Sequence, residues 1–226
     1  MRSLASHDSW LVPVAYAERA WGQSDFDQTI QFPDAAPNTV LNVFTDVESA
    51  RLADGQPIGP YGGPVDGVTL LGALDSTIEA LLVNPASPRE HQWFVAAGGF
   101  EIARGWASAI AVERALAERG NGPVPVAQLR AHRFYLLVEK ATQSITKVSL
   151  PDIDGVVAVC FTANDRIEEY VASLPPQVRP MADFAPIEGP NLFELLRGMS
   201  AAGVIINAGS DDQTALTGED IAAAMR

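Results

Sequence analysis

One ordered set of local signals occurs twice along this 226-residue chain, and no other feature restricts its fold so tightly. The first half reads LVPVAYA (11–17), TIQFPD (29–34), VLNVFT (40–45), LLGALDSTIEALLVNPAS (70–87) and GFEIA (99–103). The second reads RFYLLVE (133–139), ITKVSLPD (145–152), VVAVCFT (156–162), LFELLRGMSAAGVIINAGS (192–210) and GEDIAAA (218–224). Pro33-Asp34 meets Pro151-Asp152, and Phe44-Thr45 meets Phe161-Thr162. Asn84 with Ser87 meets Asn207 with Ser210, and Gly99 meets Gly218. Matches in one order at similar spacing are the mark of a copied segment. Both halves are therefore expected to follow one path, as two similar units packed into a pseudo-dimer within the chain.

Each half opens with three short segments rich in Val, Ile, Leu and Phe and bounded by turn residues. That pattern predicts a three-strand antiparallel meander. TIQF and TKVS alternate as half-buried strands do, whereas VVAVCF is apolar throughout, as in a strand covered on both faces. The third strand stops at Thr45 and Thr162. Thr45-Asp46-Val47-Glu48 has the form of a capping box, and Thr162-Ala163-Asn164-Asp165 is a weaker version. Helices are predicted to begin there, over 46–53 and 163–173.

The Pro- and Gly-rich stretches 57–67 and 175–190 exclude helix and leave room for a short edge strand, such as 182–187. Helices over 67–77 and 190–200 then lead into ALLVN (80–84) and GVIIN (203–207), which suit buried strands. Strand–helix–strand order implies parallel crossovers. A last helix starts near Gly99 and Gly218. In the first half it runs on through Trp106, Ile110 and Leu116 to the stop at Gly120-Asn121-Gly122-Pro123. The expected fold is α/β in two units, 1–122 and 123–226, each a mixed sheet with about three helices. The long helix closing the first unit would bridge the two.

Composition narrows the partners. Asp and Glu number 28 against 15 Lys and Arg, a formal charge of −13, which repels nucleic acid and anionic membrane surfaces. Cys160 is the single cysteine, so no internal disulfide can form. The most continuous apolar run, 156–161, is far short of the ~20 residues that span a bilayer. No apolar segment of signal length follows Met1. A cytoplasmic protein is expected.

FT before an acidic helix start, a G-x-x-L-[LF] helix at 67–71 and 189–193, and a buried strand ending in NPxS or NxGS before a closing helix resemble the SseB N-terminal domain family. That family is also labelled type III secretion system SseB-like. LLVNPASP (81–88) is the closer local match in the first half and GVIINAGSD (203–211) in the second, so two tandem copies would cover nearly the whole chain. The resemblance implies an α/β domain of bacterial proteins, associated by name with serine sensitivity or secretion. It implies no catalytic residues.

Asn84, Ser87, Asn207, Ser210 and Asp211 stand where the buried strands end. Ligands often bind beyond the carboxyl ends of parallel strands, so these five are the candidate recognition residues. The ordinary alternative is that Asn and Ser close the turn by bonding their own backbone. Asp34 and Asp152 follow prolines at strand exits, which is common turn chemistry. Cys160 lies in the most apolar run with no neighbouring base, and Val43 fills its place in the first half, so it reads as a buried structural residue. His7, His91 and His132 lack metal-ligand spacing, and neither metal nor cofactor is expected. The glycines of 59–64 precede no Lys-Ser or Lys-Thr and read as a mobile loop. Trp106 has core spacing on its helix, whereas Trp10, Trp21 and Trp93 lie near loops or strand ends, where an aromatic either anchors a partner or packs between the halves.

With no catalytic motif, the chain reads as a non-catalytic binding or adaptor protein whose acidic surface favours a basic protein partner. The alternative is an enzyme or small-molecule sensor with a pocket between the two units.

Overall fold

The apolar runs become strands and the amphipathic ones helices, giving a mixed α/β fold with several sheets. The computed structural model describes residues 1–21, 28–30, 40–52, 61–74, 76–85, 87–120, 122–150 and 153–225. The chain divides into two units, Met1–Ile110 and Ala111–Arg226. That division falls inside a helix, ahead of the glycine–proline stop at which the sequence places it.

The first unit runs α1 (Arg2–Ser6), β1 (Trp10–Pro13), α2 (Val14–Trp21), β2 (Gln28–Ile30), β3 (Val40–Val43) and α3 (Val47–Leu52). It continues with β4 (Tyr61–Val65), α4 (Gly67–Gly72), β5 (Ala80–Val83), β6 (Trp93–Ala96) and α5 (Phe100–Arg119), which crosses the division. Two three-stranded sheets result, β1-β4-β2 and β3-β5-β6. Among the described residues the first half shows other pairings than the expected meander. β1 and β2 both pair antiparallel with β4, β3 pairs parallel with β5, and a lone bridge between Leu11 and Phe44 links β1 to the end of β3. Pro13 lacks an N–H and ends β1. Beyond it, VAYAERAW winds into α2 and buries Tyr16 and Ala17.

The Gly-rich run expected to be a loop is a strand over its described part, Tyr61–Val65. Tyr61 is buried edge-on against Phe44. Gly63 lets two backbones close up, since a Cβ there would lie 2.6 Å from the Trp10 carbonyl oxygen. Leu41, Val43, Leu81, Val83 and Val95 form a core with Leu70 and Leu71 of α4 and Phe100, Ala103 and Ala107 of α5.

The second unit contains the end of α5, then α6 (Val126–Ala131), β7 (Arg133–Glu139), β8 (Lys147–Leu150), β9 (Ile153–Phe161) and α7 (Asn164–Ser173). It ends with β10 (Ala182–Glu188), α8 (Gly189–Gly198), β11 (Gly203–Ile206), β12 (Thr214–Thr217) and α9 (Gly218–Ala224). Its sheet has the order β10-β7-β9-β11-β12, with β8 also on β9. β9 pairs parallel with β11 through Val157, Ala158, Val159 and Cys160. Ala158 also pairs with Lys147 and Cys160 with Leu136, so β8 and β7 follow one another along the opposite edge of β9. Both faces of β9 are covered, as its apolar run requires. Ala158 and Cys160 enter one core, and Val157, Val159 and Phe161 another.

The glycine that opens α4 and α8 has one physical reason in both units. Gly67 N–H donates to His7 O at 2.7 Å and Gly189 N–H to His132 O at 2.8 Å. A Cβ on either would fall on a helix carbonyl, that of Leu4 or that of Leu129. Gly67→Ala and Gly189→Ala are each expected to lower stability by about 1–3 kcal/mol through overpacking. Gly72→Ala and Gly198→Ala, where nothing lies within 4 Å of an added Cβ, should leave it unchanged or raised. Urea unfolding of the four variants checks both halves of the contrast.

Candidate functional site

In each unit two parallel strands end side by side, and an asparagine joins them. Asn84 N–H donates to Val43 O at 2.9 Å, and Asn207 N–H to Cys160 O at 2.9 Å. Both asparagines then turn left-handed, with φ of 51° and 56°, a conformation Asn tolerates better than most residues. The turn aims each side chain back at the neighbouring strand. Asn84 Oδ1 accepts from Thr45 N–H at 3.0 Å and Asn207 Oδ1 from Thr162 N–H at 2.9 Å. Ser87 N–H donates to Asn84 O at 3.0 Å, and Ser210 N–H to Asn207 O at 3.2 Å. Ser210 Oγ also donates to Asn207 O at 2.9 Å, so the serine closes its own turn there, while both asparagine side chains reach across to the neighbouring strand instead.

A histidine supports each threonine from the other side. The ring Nε2 of His7 lies 3.2 Å from Thr45 O, and that of His132 lies 3.0 Å from Thr162 O. Since a carbonyl only accepts, Nε2 carries the proton in each bond. His7 stands edge-on to Trp10, and His132 edge-on to Phe134.

The two places part company at the threonine hydroxyl. In the first unit Thr45 Oγ1 donates to Asp46 at 2.8 Å, and Asn84 Nδ2 donates to Thr45 Oγ1 at 2.9 Å and to His91 O at 3.4 Å. Asp46 also takes Ser49 N–H at 2.7 Å. Asp46, rather than Thr45, therefore caps α3, one residue later than the capping-box reading. Burial acts to raise its pKa, but the bonds from Ser49 and Thr45 outweigh it and hold the carboxyl below its ordinary value.

In the second unit the residue after the threonine is Ala163, which has no carboxylate to offer. Thr162 Oγ1 instead donates to Glu113 Oε1 at 2.5 Å, and Asn207 Nδ2 donates to the same oxygen at 3.2 Å. Glu113 is 8% exposed. Arg166 of α7 reaches it at 3.4 Å and also bonds Glu169 at 3.0 Å and Asp212. Asn207 is fully buried in this network, Ser210 is half-buried and Asp211 is exposed.

The first unit has a cleft at its strand ends, with a volume of about 570 Å³. Asn84 and Ser87, two of the candidate recognition residues, line it. Thr45, Ser49 and His91 add polar groups, while Leu4, Val83, Pro88 and Trp93 add apolar surface. Among the described residues its charges are Asp46, Glu48 and Glu90, with no lysine or arginine in the lining. Such a cleft can hold a cation with an apolar stem. Trp93 is 46% exposed beside it, whereas Trp10 is buried and donates Nε1–H to Leu4 O at 3.3 Å.

Cys160 is fully buried, and desolvation pushes its thiol above the ordinary value, which disfavours the nucleophilic thiolate. Pro33-Asp34 and Pro151-Asp152 lie outside the described residues. Sequence reasoning did not single out Glu113, Arg166, Glu48, Glu90 or His91 as site residues. The signal for Glu113 is that it directly follows the apolar AIAV stretch of its helix, between the core positions Val112 and Leu116. Asp46 and Glu48 were legible only as helix-start acids, since their shared cleft depends on where the 87–93 turn returns.

No family model matches the chain, and no curated protein matches it. Among solved structures it is similar to Anabaena Tic22, described by the words protein transport, at 9% identity over 87% of this chain and 84% of that chain. The TM-score is 0.25, and a likeness of that size carries no argument here. Among the described residues, no helix is long and apolar enough to cross a membrane.

Proposed function

We propose that this chain is a non-catalytic, cytoplasmic binding protein of the bacterial SseB-like kind, built by duplication of one segment, and that its first unit grips a basic part of a protein partner. The recurring Asn–Thr–His–Gly geometry supports the duplication. The observation that carries the binding role is the cleft at the ends of β3 and β5, where Asp46, Glu48 and Glu90 face a shared volume whose described lining residues include no lysine or arginine. In the second unit, the corresponding Asn207 and Thr162 are engaged with Glu113. In the first unit the threonine's acid, Asp46, lines the cleft instead, so its carboxylate stands where an incoming side chain can reach it. A lysine or arginine would place its charge among the three carboxylates and lay its methylene stem along Val83, Pro88 and Trp93.

The test is titration of the chain with arginine-containing peptides at two ionic strengths. Raising salt from 50 to 500 mM is expected to weaken binding by about tenfold, because partly exposed charge pairs are screened. Glu48→Gln with Glu90→Gln should weaken it similarly at low salt. Salt-independent affinity, together with a small molecule carried through purification, would favour the sensor reading instead.

A further inference from the structure

We propose that the partner binds as an added β-strand along the outer edge of β6, with alternating side chains divided between the acidic cleft and Phe94. This rests on the cleft reading above and adds the shape of the ligand: an extended segment in which basic and apolar residues alternate.

β6 ends the β3-β5-β6 sheet, and no described strand pairs with its outer edge. The phase of its hydrogen bonds follows from one contact. Ala97 N–H donates to Glu79 O at 2.9 Å, and the register pairs Ala80 with Ala96 and Leu82 with Phe94. Bonded and non-bonded pairs alternate in an antiparallel ladder. Val95 and Trp93 therefore face their β5 partners, while the N–H and C=O of Phe94 and the N–H of Ala96 turn outward; the Ala96 C=O opens the 3-10 turn that follows. That edge is a template for an incoming backbone.

The side chains flanking the edge differ in character. Trp93 shares one face with buried Val95 and lines the cleft that holds Glu48 and Glu90. Phe94 lies on the other face and is 67% exposed. Successive residues of an added strand point to opposite faces. The residue opposite Phe94 is thus apolar, and its neighbour opposite Trp93 is basic and reaches the carboxylates. Charge decides the occupant. A second copy of this chain would bring its own −13 against the same acids, whereas a basic segment is attracted to them.

The probe is a fluorescein-labelled peptide of alternating arginine and valine, titrated against the full chain by anisotropy, beside a peptide with the same residues in two blocks. The alternating peptide is expected to bind about tenfold more tightly. N-methylation of one alternating set of its backbone amides should abolish binding, and methylation of the other set should be tolerated. Ala96→Pro should weaken binding about tenfold without changing the unfolding midpoint. Ala96 already has φ −71°, and the lost N–H is one that points away from β5. If both methylated peptides and Ala96→Pro bind as the parents do, while Glu48→Gln with Glu90→Gln weakens binding, strand addition is overturned and the cleft reading stands. Absence of binding by either peptide overturns both. Self-association that Ala96→Pro abolishes, seen by sedimentation, overturns the basic partner in favour of a second copy.

Discussion

Replacing Glu113 with alanine is expected to lower the stability of the second unit by about 2–4 kcal/mol, the cost of leaving buried donors short of an acceptor. Three groups lose a bond at once: the Thr162 hydroxyl at 2.5 Å, the Asn207 amide at 3.2 Å and the Arg166 guanidinium at 3.4 Å, with Asn207 Oδ1, 3.1 Å away, left as the hydroxyl's remaining acceptor. Arg166 retains Glu169 and Asp212, so the larger part of the loss falls on the buried neutral donors. Glu113→Gln keeps one acceptor oxygen for the threonine and asparagine, removes the charge and puts a donor where the second oxygen stood. Its cost should be nearer 1–2 kcal/mol, that of weakened bonds without an empty site. Glu118→Ala, at an exposed position on the same helix, should change stability by no more than about 0.5 kcal/mol. Urea unfolding of the three variants separates these cases. A loss below 1 kcal/mol for Glu113→Ala would show that the network does not hold the strand ends together.

The parallel pairs β3–β5 and β9–β11 were legible because a continuous apolar run with a helix before its partner leaves few other solutions. The start of α7 was legible from its acidic first turn, and α9 from its glycine and the acids behind it. The first-half meander was not, for a reason that lies in two residues. Pro13 cuts the run LVPVAYA where hydrophobicity alone sees no break, and Tyr61 gives the Gly-rich run 59–64 a buried anchor. Composition also hid β6 and β12. Four residues with one buried side chain each, Val95 and Leu216, carry too weak a period for pattern to detect.

The candidate site was half legible. Asn84 and Ser87 announce a strand-end turn, because Asn accepts a positive φ and Ser follows it in the turn. What distinguishes the two units could not be read locally. Asp46 against Ala163 decides whether the threonine hydroxyl finds its carboxylate next door or takes it from Glu113, 49 residues away. The residue after the threonine thus goes with a different source of acid in each unit, the turn itself in one and a distant helix in the other. Such a dependence appears only once the strands are placed side by side.

The same network makes stability depend on pH through His132. Burial pushes the pKa of this imidazole down to about 4, against the smaller opposing pull of its bond to Thr162 O and the charge of Glu113. In the unfolded chain it titrates near 6.5. Between those two values the unfolded chain takes up a proton that the folded one refuses. Protonation therefore favours unfolding. The contribution of His132 is whole above about pH 6.5, shrinks as pH falls, and is gone below about pH 4. The gap between the two pKa values corresponds to roughly 3 kcal/mol. His132→Gln can still donate an N–H toward Thr162 O but cannot titrate. Its unfolding free energy should therefore fall less steeply than that of the parent chain over this window, with the difference between the two profiles approaching that amount. The acids protonate in both proteins and cancel in the comparison. An imidazole resonance of His132 that titrates near pH 6.5 in the folded chain would overturn the prediction, for it would mean that water reaches the ring.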